Sequence, residues 1–172
     1  MTVGGSSPLE PAREPDASAP DDLTDEKHMQ RALALAATAR HVAPPDPWVG
    51  AVIITADGSI YEGATSAPGG AHVEATALGL APADLSGATA YVTLEPCWPF
   101  PGKRTPSCAQ ALIASRVEWV VIAMADPDPR VHRHGINGLR AAGIDVTVGL
   151  LEAQAQQLLR AYALDRAALP RL

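Results

Sequence analysis

Apolar residues recur at helical spacing near the start of the chain, where Met29, Ala32, Leu33 and Ala36 share one face. Thr24 or Asp25 can cap this helix, and Glu26 suits the positive end of its dipole. Arg40 and His41 suit its last turn, and Pro44 and Pro45 end it. The pattern then shortens. Residues 49–54 and 59–62 form two runs separated by Asp57-Gly58, a hairpin signal. A second helix is predicted over 72–80, a strand over 88–94 and a third helix over 106–114. The near-continuous apolar run at 117–124 reads as a strand buried on both faces. A further helix should end near Gly143, where glycine tolerates the left-handed cap. Residues 144–148 make a fifth strand and 150–164 a closing helix.

Helix, hairpin, then strands alternating with helices imply right-handed crossovers and helices on both faces of one sheet. The expected fold class is α/β, a three-layer α/β/α sandwich on a five-stranded, mostly parallel sheet. The first two strands should supply its antiparallel part. Residues 1–22, rich in Gly, Ser, Pro, Ala and Asp, hold too little apolar surface to offset ordering and read as a disordered arm. Residues 23–165 form the expected domain, and 166–172 a tail.

Composition narrows the function. The 172 residues are 47% hydrophobic and 19% charged, ordinary for a soluble globular protein. The net charge of −6, with only 13 Lys and Arg, argues against a nucleic-acid backbone as ligand. No apolar stretch reaches the ~20 residues needed to span a bilayer, and no secretory signal opens the chain. A cytoplasmic setting with reduced thiols is therefore expected.

Three short segments carry chemistry: Ala71-His72-Val73-Glu74, Glu95-Pro96-Cys97 and Thr105-Pro106-Ser107-Cys108. One imidazole and two thiolates, His72, Cys97 and Cys108, suit Zn2+ and leave a fourth position for water, whose pKa such a site lowers to about 7. Thr105 can cap the third helix, with Pro106 in its first turn. Cys108 then lies at a positive helix end that favours thiolate. Glu74 is about 200° around an ideal helix from His72, so a metal meeting both must lie beyond the helix end. A carboxylate beside the water can take its proton and deliver it to a leaving amine, which makes Glu74 the expected catalytic residue. Singly, a His-x-Glu or a buried cysteine means little. Their order, each at a strand end or helix start, gives the pattern its weight. His132 and His134, in a polar loop, are weaker ligand candidates because the set is already complete. His28 and His41 are expected at the surface.

His-x-Glu followed by Pro-Cys and a second Cys resembles the cytidine-deaminase-like zinc deaminases. Most of these have two residues between the cysteines, and this chain has ten. The wide gap ending in Gly102-Lys103-Arg104-Thr105-Pro106-Ser107-Cys108 is similar to the pyrimidine deaminase domain of the bifunctional riboflavin biosynthesis deaminase/reductase. Further markers are Pro45-Asp46-Pro47-Trp48-Val49-Gly50, Ala90-Tyr91-Val92-Thr93-Leu94-Glu95-Pro96-Cys97, Ala125-Asp126-Pro127-Asp128-Pro129 and Ala142-Gly143-Ile144-Asp145-Val146. The resemblance implies the cytidine-deaminase-like fold, the ligand roles of His72, Cys97 and Cys108, the proton shuttle Glu74, and a homo-oligomer.

Three of four departures from that family fall on the expected substrate pocket. Asp46 stands where the family has an Asn that touches substrate, and Thr65 follows Ala64 where it usually has His after Gly. Trp98-Pro99-Phe100-Pro101 replaces a short Ser-His stretch. A fourth, Asp128, stands in for Asn in the family's Asp-Pro-Asn-Pro. Ionised Asp only accepts hydrogen bonds, whereas Asn also donates. Trp98 and Phe100 can stack on a flat ring, and Lys103 or Arg104 can meet a phosphate. The expected substrate-binding residues are thus Asp46, Thr65, Trp98, Lys103 and Arg104.

The reading is a zinc-dependent hydrolytic deaminase of a small heterocycle. By resemblance the substrate is the diaminopyrimidinone ribosylamino phosphate of riboflavin biosynthesis, although the altered pocket predicts poor handling of it. Another nucleobase, nucleoside or specialised-metabolite precursor is the alternative. A zinc-stabilised binding protein without catalysis is the alternative of another class, and the intact Glu74 argues against it. No reductase domain is expected within the chain, so a reductase would be a separate partner. Neither nucleic acid nor membrane is an expected partner.

Overall fold

The computed structural model describes residues 22–41, 46–66, 73–99 and 107–167. Most of the expected arm, at 1–21, and the tail from 168 onward lie outside them. Helix α1 spans Asp22–Thr38 and runs into a 3-10 turn at Ala39–His41. Its face of Met29, Ala32, Leu33 and Ala36 is buried as the spacing predicts. The start differs from expectation. Asp25 lies inside the helix, not at its cap, and its buried carboxylate accepts a 2.5 Å hydrogen bond from the Tyr91 hydroxyl. Thr24 also falls within the helix.

Strands β1 (Gly50–Ile54) and β2 (Ile60–Ala64) form the predicted hairpin. Its turn uses Gly58 at φ +82°, with Gly58 N–H donating to the Thr55 carbonyl at 2.8 Å and Thr55 N–H to Ser59 at 3.0 Å. Helix α2 (Val73–Leu80), strand β3 (Thr89–Val92), helix α3 (Cys108–Ala114), strand β4 (Trp119–Ile122), helix α4 (His134–Ala141) and strand β5 (Asp145–Val148) follow in order. Gly143 takes φ +85° after α4, as its expected cap position requires. The expected closing helix is two helices, α5 (Glu152–Leu158) and α6 (Arg160–Ala167), parted at the buried Leu159.

The sheet order is β2-β1-β3-β4-β5. Only β1 is reversed, pairing antiparallel with both β2 and β3, while β3, β4 and β5 are mutually parallel. The connections β2-α2-β3, β3-α3-β4 and β4-α4-β5 all advance in one direction across the sheet. Right-handed crossovers therefore put α2, α3 and α4 on one face. In agreement, α2 touches α3 and α3 touches α4, whereas α1 packs on β1 and touches α5. Val120, Val121 and Ile122 are all but inaccessible, as expected of a strand covered on both faces. Gly50 lets α1 sit close: a Cβ there would lie 1.9 Å from the Ala32 carbonyl oxygen. No helix among the described residues is long and apolar enough to cross a membrane.

Candidate metal and catalytic site

Ligands of open parallel sheets gather beyond the carboxyl ends of the strands. At this edge β2 leads to Thr65, β3 leads to Cys97, and β4 leads to Asp126. Because β1 runs the other way, its amino end lies here too, with Asp46 four residues before Gly50. One edge thus collects Asp46, Thr65 and Cys97 from segments far apart in the chain.

The two cysteines meet. The Cys108 amide donates to Cys97 Sγ at 3.2 Å, and neither residue forms a disulfide. The expected cap is displaced: Ser107, not Thr105, caps α3, its hydroxyl oxygen accepting from Gln110 N–H at 3.3 Å. That same hydroxyl donates to the Cys97 carbonyl at 2.7 Å, and Ala109 N–H donates to it at 3.2 Å. The local helix start and the tie to Cys97 are therefore one device. Cys108 is the first residue of α3, where the positive end of the helix dipole favours thiolate.

Two thiol side chains brought to one helix start are a donor set that fits Zn2+. The third expected donor, His72, lies outside the described residues, immediately before α2. Among the described residues alone, no three His, Cys, Asp or Glu side chains form a metal cluster. Glu74 is the second residue of α2, within its first turn.

The expected pocket residues divide. Asp46 is exposed at a bend. Thr65 is half-buried, and its hydroxyl accepts from Val49 N–H at 2.9 Å and lies 3.0 Å from the Pro47 carbonyl, to which it donates. It thereby ties down the segment that carries Asp46. Arg40 lies 5.7 Å over the ring of Trp48, in the same segment. Trp98 is half-buried and sits against Gly138 of α4. Phe100, Lys103 and Arg104 lie outside the described residues.

Sequence reasoning missed how much Glu95 does. Its side chain is only 5% exposed, yet its carboxylate accepts four backbone N–H groups. Asp126 and Arg133 donate to Oε2 at 3.0 and 2.9 Å, and Gly135 and Ile136 to Oε1 at 2.9 and 3.2 Å. A charged residue directly before Pro-Cys, in an otherwise apolar run, was the available signal. Asp126 was also passed over. Burial pushes its carboxyl up to about 6; the Asp128 amide opposes this, the charges of Glu95 and Asp128 add to it, and the Tyr162 hydroxyl opposes it. His132 Nδ1 meets the Asp126 carbonyl at 2.7 Å, and His134 is exposed at the start of α4. His28 departs from its expected surface setting. It is half-buried, its ring 5.1 Å from that of Tyr91. The His41 side chain lies outside what is described.

Residues 23–124 match the family described as the cytidine and deoxycytidylate deaminase zinc-binding region. The riboflavin biosynthesis protein RibD of Escherichia coli (strain K12) is 44% identical over 140 residues, covering 81% of this chain and 38% of that protein. The structure is similar to Acinetobacter baumannii RibD (form 1), with TM-score 0.81 and 38% identity over 86% of this chain and 41% of that one. It is also similar to a Thermotoga maritima diaminohydroxyphosphoribosylaminopyrimidine deaminase/5-amino-6-(5-phosphoribosylamino)uracil reductase. There the TM-score is 0.78 and the identity 36%, over 84% of this chain and 42% of that one. The chain thus spans less than half the length of each of these relatives.

Proposed function

The chain belongs to the cytidine and deoxycytidylate deaminase family, and on that premise we propose that it hydrolyses the amino group from a small amino-substituted pyrimidine. Membership makes it a zinc-dependent hydrolase of C–N bonds. The ring class we propose is the one named for the Thermotoga maritima relative, a diaminopyrimidine carrying a phosphoribosylamino group. The observation that carries the reading is the meeting of Cys97 and Cys108 at one helix start. Residues eleven apart in the chain are brought together there at the carboxyl edge of the strands.

In this reading His72, Cys97 and Cys108 hold the metal, which when bound supplies the Lewis acidity that activates water at neutral pH. Glu74 carries one proton of the attacking water to the ring nitrogen and then the second, from the newly added hydroxyl, to the departing amine. A C–O bond forms at the amine-bearing carbon, the C–N bond breaks, and ammonia leaves. Asp46 contacts the ring substituents from a segment held by Thr65. Trp98 borders the site, and Lys103 and Arg104 meet the phosphate. Residues 23–165 act as the deaminase domain, and a reductase takes the product onward. The protein works in the cytoplasm as a homo-oligomer, which its mass in solution checks.

The test is ammonia release from zinc-loaded protein across aminopyrimidines, pterins, cytosines and guanines, each with and without ribose phosphate. Turnover confined to the phosphoribosylated diaminopyrimidine supports the proposal. Turnover of another ring would replace it with the alternative that the departures at Asp46 and Trp98 motivate. Zinc-loaded protein inert toward every compound would leave a zinc-stabilised binding protein.

A further inference from the structure

Cys97 stands on a stretch with no regular secondary structure, from Thr93 to Pro99. Something other than a helix or strand must aim its side chain. Two residues earlier, Glu95 projects into the amino end of α4. The residue before that helix, Arg133, has φ 63° and makes no side-chain cap. Its own amide and those of Gly135 and Ile136 go instead to the Glu95 carboxylate. Glu95 is thus the cap of α4, supplied from a distant segment.

The same helix presses on the two other neighbours of Cys97. A Cβ on Gly135 would lie 1.9 Å from the Pro96 carbonyl oxygen, and one on Gly138 would lie 2.0 Å from Trp98 Cζ3. These glycines are three residues apart, on one helix face. Glu95, Pro96 and Trp98 are therefore all fixed by α4, while Cys97 itself is held by α3 through Ser107, Cys108 and Ala109.

We propose that Glu95 is a positioning residue for Cys97, acting through α4 to fix the direction in which Sγ points. The proposal rests on the reading of Cys97 as a zinc ligand. Outer groups that orient a metal ligand typically contribute ten- to hundred-fold in metal affinity. Glu95→Gln keeps the shape but turns an amide NH2 toward two backbone donors. Zinc affinity, measured by competition with a chromophoric chelator, should fall about ten- to hundred-fold. A mere cap would lower the stability of the metal-free protein and leave zinc affinity unchanged.

Two further variants separate these roles. Arg133→Gly relieves the left-handed backbone without touching the Glu95 bonds, so it should raise metal-free stability at unchanged zinc affinity. Combined with Glu95→Gln, it should restore stability and leave zinc weakly held. Gly138→Ala, which displaces Trp98 and spares all four Glu95 bonds, should also weaken zinc, and it decides the matter if the Glu95 variants do not fold. Wild-type zinc affinity in the stability-restored double variant, or in Gly138→Ala, would overturn the proposal. Cys97→Ser is the separate check on its foundation. If that variant kept full zinc affinity, the ligand assignment itself would fail, whatever the Glu95 variants did.

Discussion

The amide of Cys108 points at the sulfur of Cys97, 3.2 Å away, across a gap of ten intervening residues. A thiolate accepts such a bond better than a thiol does, and the start of α3 adds the helix dipole to the same end. Purified protein should accordingly hold about one zinc per chain. Cys97→Ser combined with Cys108→Ser should remove the metal and lower the melting temperature, because metal binding contributes to folding. Metal analysis by mass spectrometry checks this, and full occupancy in the double variant would rule out both ligands.

Glu74→Gln keeps the size of the side chain and loses the group that moves protons. Zinc content should stay at the wild-type level while turnover falls by at least ~10². The comparison needs a verified substrate and equal metal loading. Near wild-type turnover would remove Glu74 from the acid–base role.

Asp126 sets a dependence of stability on pH. Its folded carboxyl is raised from the ordinary 3.8 to about 6, chiefly by burial. The stability it contributes is complete below pH 4 and is lost as pH rises through about 6. That difference corresponds to ~3 kcal/mol. Asp126→Asn keeps an oxygen for the Asp128 amide, which donates at 2.9 Å in the wild type, and carries no charge. The variant should match the wild type near pH 4 and exceed it by up to ~3 kcal/mol at pH 7.5. Urea unfolding across this range tests the idea. A stability difference that stayed flat with pH would show that Asp126 does not titrate there.

Much of this architecture was legible locally. The apolar run at 117–124 announced β4, Asp57-Gly58 announced the hairpin, and the spacing from Met29 to Ala36 announced α1. Hidden features depended on partners far along the chain. Asp25 looks like a cap until Tyr91, 66 residues on, is seen to donate to it. Thr105 and Ser107 are both plausible caps for α3, and the choice of Ser107 coincides with its bond to Cys97. Glu95 gave little sign of its role because its donors lie 31 to 41 residues away. Helical periodicity also runs on through Leu159, so the break between α5 and α6 left no mark.

Asp46 offers the sharpest test of substrate choice. The segment behind it is anchored twice, by the Thr65 hydroxyl on Val49 and Pro47 and by Arg40 over Trp48. Its own side chain is exposed, so Asp46→Asn should leave the fold intact. The resemblance to the riboflavin deaminase domain places an Asn at this position, in contact with substrate. An ionised Asp covered by bound substrate would face an amide carbonyl with like-sign partial charge and no donor. Leaving such a pair unmatched costs ~1–3 kcal/mol, about a ten- to hundred-fold loss in kcat/KM. The wild type should therefore process the phosphoribosylated diaminopyrimidine inefficiently, and Asp46→Asn should improve it by about that factor. Steady-state kinetics on both proteins decide it. An efficient wild type that Asp46→Asn impairs would mean that Asp46 itself matches this substrate, and the inference of a shifted pocket would be wrong.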